Sequence, residues 1–83
     1  MTRAIYAIAD ECRRDWGHRI SPYAAPYLSA MGELSSIDED YYADSARSVV
    51  AYFLANASGW RGPVAQRCKN ELRAMLKEAQ NGK

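Results

Sequence analysis

The residues whose chemistry most often carries catalysis are scarce in this chain of 83 residues. His18 is its single histidine, and Cys12 and Cys68 are its two cysteines. A histidine base or ligand needs an orienting carboxylate, a nucleophile or further ligands at a recognisable spacing, and His18 has none in the sequence. The cysteines form no Cys-x-x-Cys pair, so we expect buried, reduced thiols. The sequence therefore predicts that the protein is not an enzyme.

An acidic run is the other group of potential ligands. It lacks the Asp-x-Asp-x-Asp-Gly order and the closing glutamate of a calcium loop. Ser36 and Glu39 instead have the spacing of a capping box. With no phosphate loop or zinc spacing elsewhere, we predict no metal, no cofactor and no small-molecule substrate. The acids of the run are Glu33, Asp38, Glu39, Asp40 and Asp44.

Charge is separated along the chain although the net charge is only +1. The acidic run between residues 33 and 44 contains no base, whereas residues 61–83 are predominantly basic. One interpretation is that acids and bases stabilise opposite ends of helices. The alternative is a bipolar surface that steers a charged partner and loses its effect as salt rises above about 0.1 M.

The elements that position these residues follow from helical periodicity. The stretch from Asp44 to Gly59 has the most complete apolar stripe, and we expect it to form a central buried helix. Asp44 is placed to cap its first turn, and Gly59 to end it in a left-handed conformation. The stripe consists of Ala46, Val49, Val50, Phe53, Leu54 and Ala57.

Three further helices are predicted around this one. Thr2 can cap the first helix and Gly17 can end it, while Pro26 and Pro63 suit the first turns of the second and fourth. We therefore predict an all-α fold: a single domain over 1–83, built as a compact bundle of about four helices. The predicted ranges are 2–16, 24–34, 43–58 and 63–80, with the third helix central and packed by the others.

The hairpin at 46–80 resembles a helix-turn-helix. Ala55 and Gly59 have its Ala-x-x-x-Gly spacing, but Ser58 stands where an apolar residue is expected and the turn has an extra Gly-Pro. For DNA binding, we expect Arg67, Asn70 and Arg73 to be coplanar and unpaired; otherwise we expect them to pair with Glu33 or Asp40. The candidate nucleic-acid contacts are Arg61, Gln66, Arg67, Lys69, Asn70 and Arg73.

Aromatic residues supply the candidate surface for a protein partner. The chain has six tyrosines and two tryptophans, more than so small a core can hide. We assign Tyr23, Tyr27, Tyr41 and Trp60 to that surface. No apolar run approaches the ~18 residues of a membrane span, and the amino terminus does not resemble a signal peptide. We therefore expect a cytoplasmic protein without a membrane segment.

The segments YYADSARSVVAYFLANASGWRGPVA and KNELRAMLK resemble small helical open reading frames of actinobacteriophages and actinobacteria. The likeness covers residues 37–76 and carries no catalytic residue to transfer. It implies a bacteriophage or prophage setting in a bacterial host, where short helical products bind host or phage proteins. The leading hypothesis is a noncatalytic helical protein that binds a host or phage protein, alone or as a homodimer. Nucleic-acid binding by the hairpin is the alternative.

Overall fold

A computed structural model of the protein describes residues 3–41 and 44–81, apart from the side chains of residues 41, 80 and 81. Four α-helices dominate the described chain, which confirms the predicted all-α fold. They are α1 (Ile5–Trp16), α2 (Ala25–Met31), α3 (Ala46–Ala55) and α4 (Pro63–Asn81), with a 3-10 turn at Gly17–Arg19. None of these helices combines the length and the apolar character needed to cross a membrane.

The helices are arranged so that each lies beside its neighbours in the chain, and α1 closes the bundle against α4. Short connections make successive helices run in opposite directions. The α2–α3 connection lies at one end of the bundle with the start of α1. The other two connections lie at the opposite end, where residues 15–21 and 59–61 line one cleft.

The core is apolar throughout the described chain, and it includes a cluster of three aromatic rings. Trp16 stacks on Trp60 with ring centroids 5.6 Å apart, and Phe53 meets Trp16 edge-on at 6.4 Å. Val49 and Phe53 of α3 are buried and Leu54 is half-buried, as the apolar stripe predicts. Helix α3 packs mainly on α2 and α4, and reaches α1 through the ring of Phe53.

Helix α1 starts later than predicted because another segment caps it. The amides of Ile5 and Tyr6 donate to the carbonyls of Ser35 and Leu34, at 3.2 and 2.8 Å. Amides at a helix start lack partners within the helix, and here the α2–α3 connection supplies them. Thr2, the predicted cap, lies outside the described residues. Gly17 ends the helix at a φ of 63°, as predicted.

The α2–α3 connection folds as a turn followed by a short ladder. The Asp38 amide donates to Ser36 Oγ, and Glu39 accepts from the Ser35 amide instead of closing the predicted capping box. Because these bonds form a turn, no helix starts at Ser36. Two-residue strands β1 (Asp40–Tyr41) and β2 (Asp44–Ser45) then pair in antiparallel register.

Both predicted ends of α3 need correction. Asp44 lies in β2, one residue too early, so Ser45 is the cap and accepts the Ser48 amide at 3.1 Å. At the other end Asn56 stops the helix, and its side-chain amide donates to the Tyr52 carbonyl at 2.8 Å. Gly59 is therefore not the left-handed terminator, and α3 spans 46–55 rather than 43–58.

Helices α2 and α4 each have a proline in the first turn, as predicted. Pro26 lies in the first turn of α2, and Pro63 is the first residue of α4. The last residues predicted for α2, 32–34, form tighter turns instead of α-helix, because the Leu34 amide donates to the Met31 carbonyl. The positive φ in the α3–α4 connection belongs to Gly62, at 114°. This conformation favours glycine and directs the chain into α4.

Candidate interaction surface

A network of ion pairs joins α1 to α4 across the bundle. Glu71 accepts two hydrogen bonds from Arg3, at 2.5 and 3.1 Å. Glu11 pairs with the same Arg3 at 2.8 Å and also accepts from Arg67. Each acid therefore meets two guanidinium groups, since Arg67 also lies 3.8 Å from Glu71. We call these four residues the α1–α4 ion network.

The electrostatics of this network keep its charges fixed at neutral pH. The Arg67 hydrogen bond, with help from Arg3, lowers the pKa of Glu11 to about 2. Hydrogen bonds from the glutamates raise the pKa of both arginines. The Cys68 thiol lies beside the network, 3.5 Å from Glu11, and burial together with the Glu11 charge raises its pKa.

The same residues offer a possible metal-ligand set. Ligand atoms of Glu11, Cys68 and Glu71 lie within 4.8 Å of one another. A metal would have to displace the Cys68 proton, which burial and the Glu11 charge hold more tightly by raising the pKa of the thiol. Both carboxylates already have guanidinium partners. The arrangement is suited to holding two helices together rather than to coordinating a metal.

One end of the bundle, which we call the basic end, carries a cluster of cations. Arg19 and Arg61 line a cleft of about 400 Å³. Lys69 donates to the Trp60 carbonyl at 2.6 Å and lies 5.9 Å from the centre of its ring. Burial lowers the pKa of Lys69, and the nearby charges of Arg73 and Arg61 lower it further. Several positive charges are therefore held close together here.

The opposite end, which we call the acidic end, contains the α2–α3 connection. Every carboxylate of the acidic run is exposed there. Asp38 lies 3.6 Å from Arg47, and Glu39 accepts the Ser35 amide. The acidic run is thus confined to one end of the bundle, while Arg19, Arg61 and Lys69 lie at the other.

The tyrosines of α2 and α3 form a second kind of surface. Tyr52 is 54% exposed, and its ring packs against the half-buried ring of Tyr27 with centroids 5.5 Å apart. We call these two residues the tyrosine pair. Tyr23 is the most exposed large apolar residue of the described chain, at 75%, and lies at the basic end beside Ser21.

The predicted partner surface is only partly formed. Tyr23 is exposed and Tyr27 is half-buried, so both can contribute. Trp60 does not, because it is 2% exposed, stacks on Trp16 and donates its indole N–H to Asp15 at 2.8 Å. Its assignment to the surface was wrong. The Tyr41 side chain lies outside the described part of the chain.

The predicted nucleic-acid residues do not form one continuous free face. Arg67 belongs to the α1–α4 ion network, and its partners are Glu11 and Glu71 rather than Glu33 or Asp40. Asn70 accepts from Arg73 at 3.3 Å. Arg61 and Gln66 are exposed, whereas Lys69 is half-buried against Trp60.

The hairpin also departs from a helix-turn-helix at its turn. Residues 56–62 separate α3 from α4, a connection longer than the three or four residues of that motif. Ala55, expected to face the second helix closely, is exposed. The spacing of Ala55 and Gly59 therefore does not produce the predicted geometry.

The α1–α4 ion network was missed in the sequence. Its bonds join residues as far as 68 positions apart, and charge pairs at such separation have no local pattern. One clue was available, since Arg67 and Glu71 are four residues apart on one helix. Comparisons of the chain with protein-family models, curated proteins and solved structures find no match.

Proposed function

We propose that this protein is a noncatalytic helical interaction protein that binds a host or phage protein through the tyrosine pair. The exposure of Tyr52 beside Tyr27 is the observation that supports the proposal. Tyrosine is enriched at binding hot spots because it supplies a large apolar area with few rotatable bonds. Tyr52 leaves the apolar face of its ring accessible while its own helix is fixed by the buried Phe53.

The setting of this function comes from the resemblance to actinobacteriophage and actinobacterial reading frames. We propose a bacterial host cytoplasm as the location. Two free and buried cysteines support it, because thiols persist in reducing compartments. The charged ends add a means of orienting the partner before contact, since separated charge steers association.

The proposal is tested by placing a photo-crosslinking phenylalanine analogue at position 52 in actinobacterial cells. Position 6 is the matched control, because Tyr6 is 52% exposed but lies on α1. We expect one discrete protein adduct from position 52 that is absent from position 6 and is lost when Tyr27→Ser is added. Equal crosslinking at both positions, or none at position 52, contradicts the proposal.

Nucleic-acid binding by the basic end is a second candidate function. It is supported by the grouping of Arg61, Lys69 and Arg73, which are close enough to lower the pKa of the lysine. Binding through phosphate contacts must weaken steeply with salt. In a gel-shift assay, we expect Arg61→Glu to abolish binding of random duplex, while Arg14→Glu on the exposed side of α1 retains it. Absence of any shift at low salt ends this candidate.

A further inference from the structure

The two ends of the bundle carry features that complement each other. The acidic end has a cleft of about 410 Å³ beneath the α2–α3 connection, with Ile37 and Met75 among its apolar residues and Glu78 at its edge. At the basic end Tyr23 is 75% exposed and bonds to Ser21, which lines the cleft that also contains Arg19, Arg61 and Asp15. One end thus offers an exposed aromatic side chain near a mainly positive cleft. The other offers a partly apolar cleft, lined by both Arg3 and Glu78, next to the exposed carboxylates of the acidic run.

These features lie at opposite ends of the same molecule. Arg3 and Ala4 line the acidic-end cleft immediately before α1, and Trp16 lines the basic-end cleft where α1 finishes. The longest dimension of the molecule is 37 Å. A single copy therefore cannot bring its own Tyr23 to its own acidic cleft, whereas a second copy can.

We infer that copies of this chain associate head to tail, with Tyr23 of one copy seated in the acidic-end cleft of the next. Sites of about 300 to 1,000 Å³ take whole drug-sized ligands, so this cleft has room for one tyrosine ring. Arg19 and Arg61 then face the carboxylates of the neighbouring acidic end. Because the two ends carry opposite charge, the basic end of one copy attracts the acidic end of another, and like ends repel each other.

The contact joins two different surfaces, so it does not close as a two-fold dimer. A repeated contact of this kind builds an open chain, or a ring if the rotation between copies closes. The buried area is limited to one side chain and its surroundings, and much of the attraction is between exposed charges. Association is therefore weak, reversible and sensitive to salt. The contact residue is Tyr23, which is distinct from the two residues of the tyrosine pair.

Sedimentation velocity of the full chain tests this inference. At about 20 mM salt we expect the weight-average sedimentation coefficient to rise with concentration beyond that of a dimer, and at about 500 mM salt to return to the monomer value. A monomer at every concentration in low salt overturns the inference. A closed dimer that grows no further also overturns it.

Tyr23→Ser is expected to weaken association by about tenfold. Tyr52→Ser is the matched control, since it removes an exposed tyrosine of α3 that is not part of the proposed contact. The inference is overturned if Tyr23→Ser associates as strongly as the wild type, or if Tyr52→Ser weakens association equally. Crosslinking from position 52 does not depend on Tyr23, so the failure of this contact is distinguishable from failure of the proposed partner binding.

Charge exchange gives a further test that needs no knowledge of the interface area. Arg19→Glu with Arg61→Glu makes both ends acidic, and lysine in place of Glu33, Asp38, Asp40 and Asp44 makes both ends basic while keeping Glu39 as the acceptor of the Ser35 amide. We expect each variant alone to remain monomeric and their mixture to associate in low salt. Retained self-association of either variant, or no association of the mixture, contradicts the head-to-tail arrangement. Circular dichroism confirms that both variants keep their helices.

Discussion

Besides its buried apolar face, helix α1 makes two contacts of opposite character with the rest of the bundle. At its carboxyl end Trp16 is 7% exposed and packs against Trp60 and Phe53. On another face, Glu11 joins the α1–α4 ion network together with Arg3, which precedes the helix; the two side chains are 25% and 36% exposed. The first contact removes apolar surface from water, whereas the second pairs charges that remain partly hydrated.

The difference shows how stability and register are divided between the two contacts. Burial of apolar surface is strong but has little directional preference. Ion pairs that water can reach contribute little free energy, but guanidinium and carboxylate groups meet only in a defined geometry. We therefore expect the aromatic residues to carry the stability and the ion network to set how α1 is aligned along α4.

The largest expected effect comes from the aromatic side of this comparison. Phe53→Ala removes the ring that joins α3 to α1 and should cost about 3–5 kcal/mol. Urea denaturation measures the loss, and the control Tyr23→Ala, at a ring that is 75% exposed, should change stability by no more than about 0.5 kcal/mol. If Phe53→Ala lowers the free energy of unfolding only slightly, the aromatic contact is not the main source of stability.

The buried thiol on α1 gives the next effect, at alkaline pH. Burial, with the neighbouring Cys68, raises the pKa of Cys12 to about 12 from an ordinary value of 9.0. The unfolded chain therefore loses this proton first, so the stabilisation is complete below pH 9 and disappears as pH rises toward 12. Unfolding midpoints should fall over this range, and less steeply in Cys12→Ala. Parallel profiles for the two proteins contradict the assignment to Cys12.

The ion network should respond at acid pH. Since the pKa of Glu11 is lowered to about 2, its contribution is complete above its ordinary value of 4.5 and is lost as pH falls from there toward 2. Thermal melts from pH 6 to 2 should show a steeper decline for the wild type than for Glu11→Gln. Added salt at neutral pH should reduce the difference between the two proteins.

The smallest expected effect compares two aspartates of α1. Asp15 accepts the indole N–H of Trp60, so Asp15→Ala, which removes the acceptor, should cost about 1 kcal/mol. Asp10 forms only an exposed pair with Arg14, and Asp10→Ala should cost about 0.3 kcal/mol. Equal losses in chemical denaturation mean that burial of the partner does not strengthen the aspartate contact.

The apolar stripes made the core of the helices predictable. Ile5, Ile8 and Trp16 lie on one face of α1 and are buried, because helical periodicity applies wherever a helix forms. Trp60 follows Gly59 in a connection, where no period exists, and its burial depends on stacking with Trp16. The sequence therefore predicted the helices and their buried faces, but it did not predict that Trp60 joins the aromatic cluster.

The candidate surfaces were less predictable for the same reason. Separation of charge in the sequence could be recognised, but its placement at two ends depends on alternating helix directions. Arg67 was assigned either to DNA or to Glu33 and Asp40, whereas α1 brings Glu11 to it from 56 residues away. Tyr52 was not singled out because its exposure depends on which face α3 turns toward α2.

The carbonyls of Leu34 and Ser35 that receive the first amides of α1 determine when that helix can be completed. During synthesis, residues 5–16 are made before these carbonyls, and Glu71 follows still later to meet Arg3. Helix α1 is thus made before the partners that complete its bonds. Nascent chains truncated before Glu71 should retain a frayed start of α1.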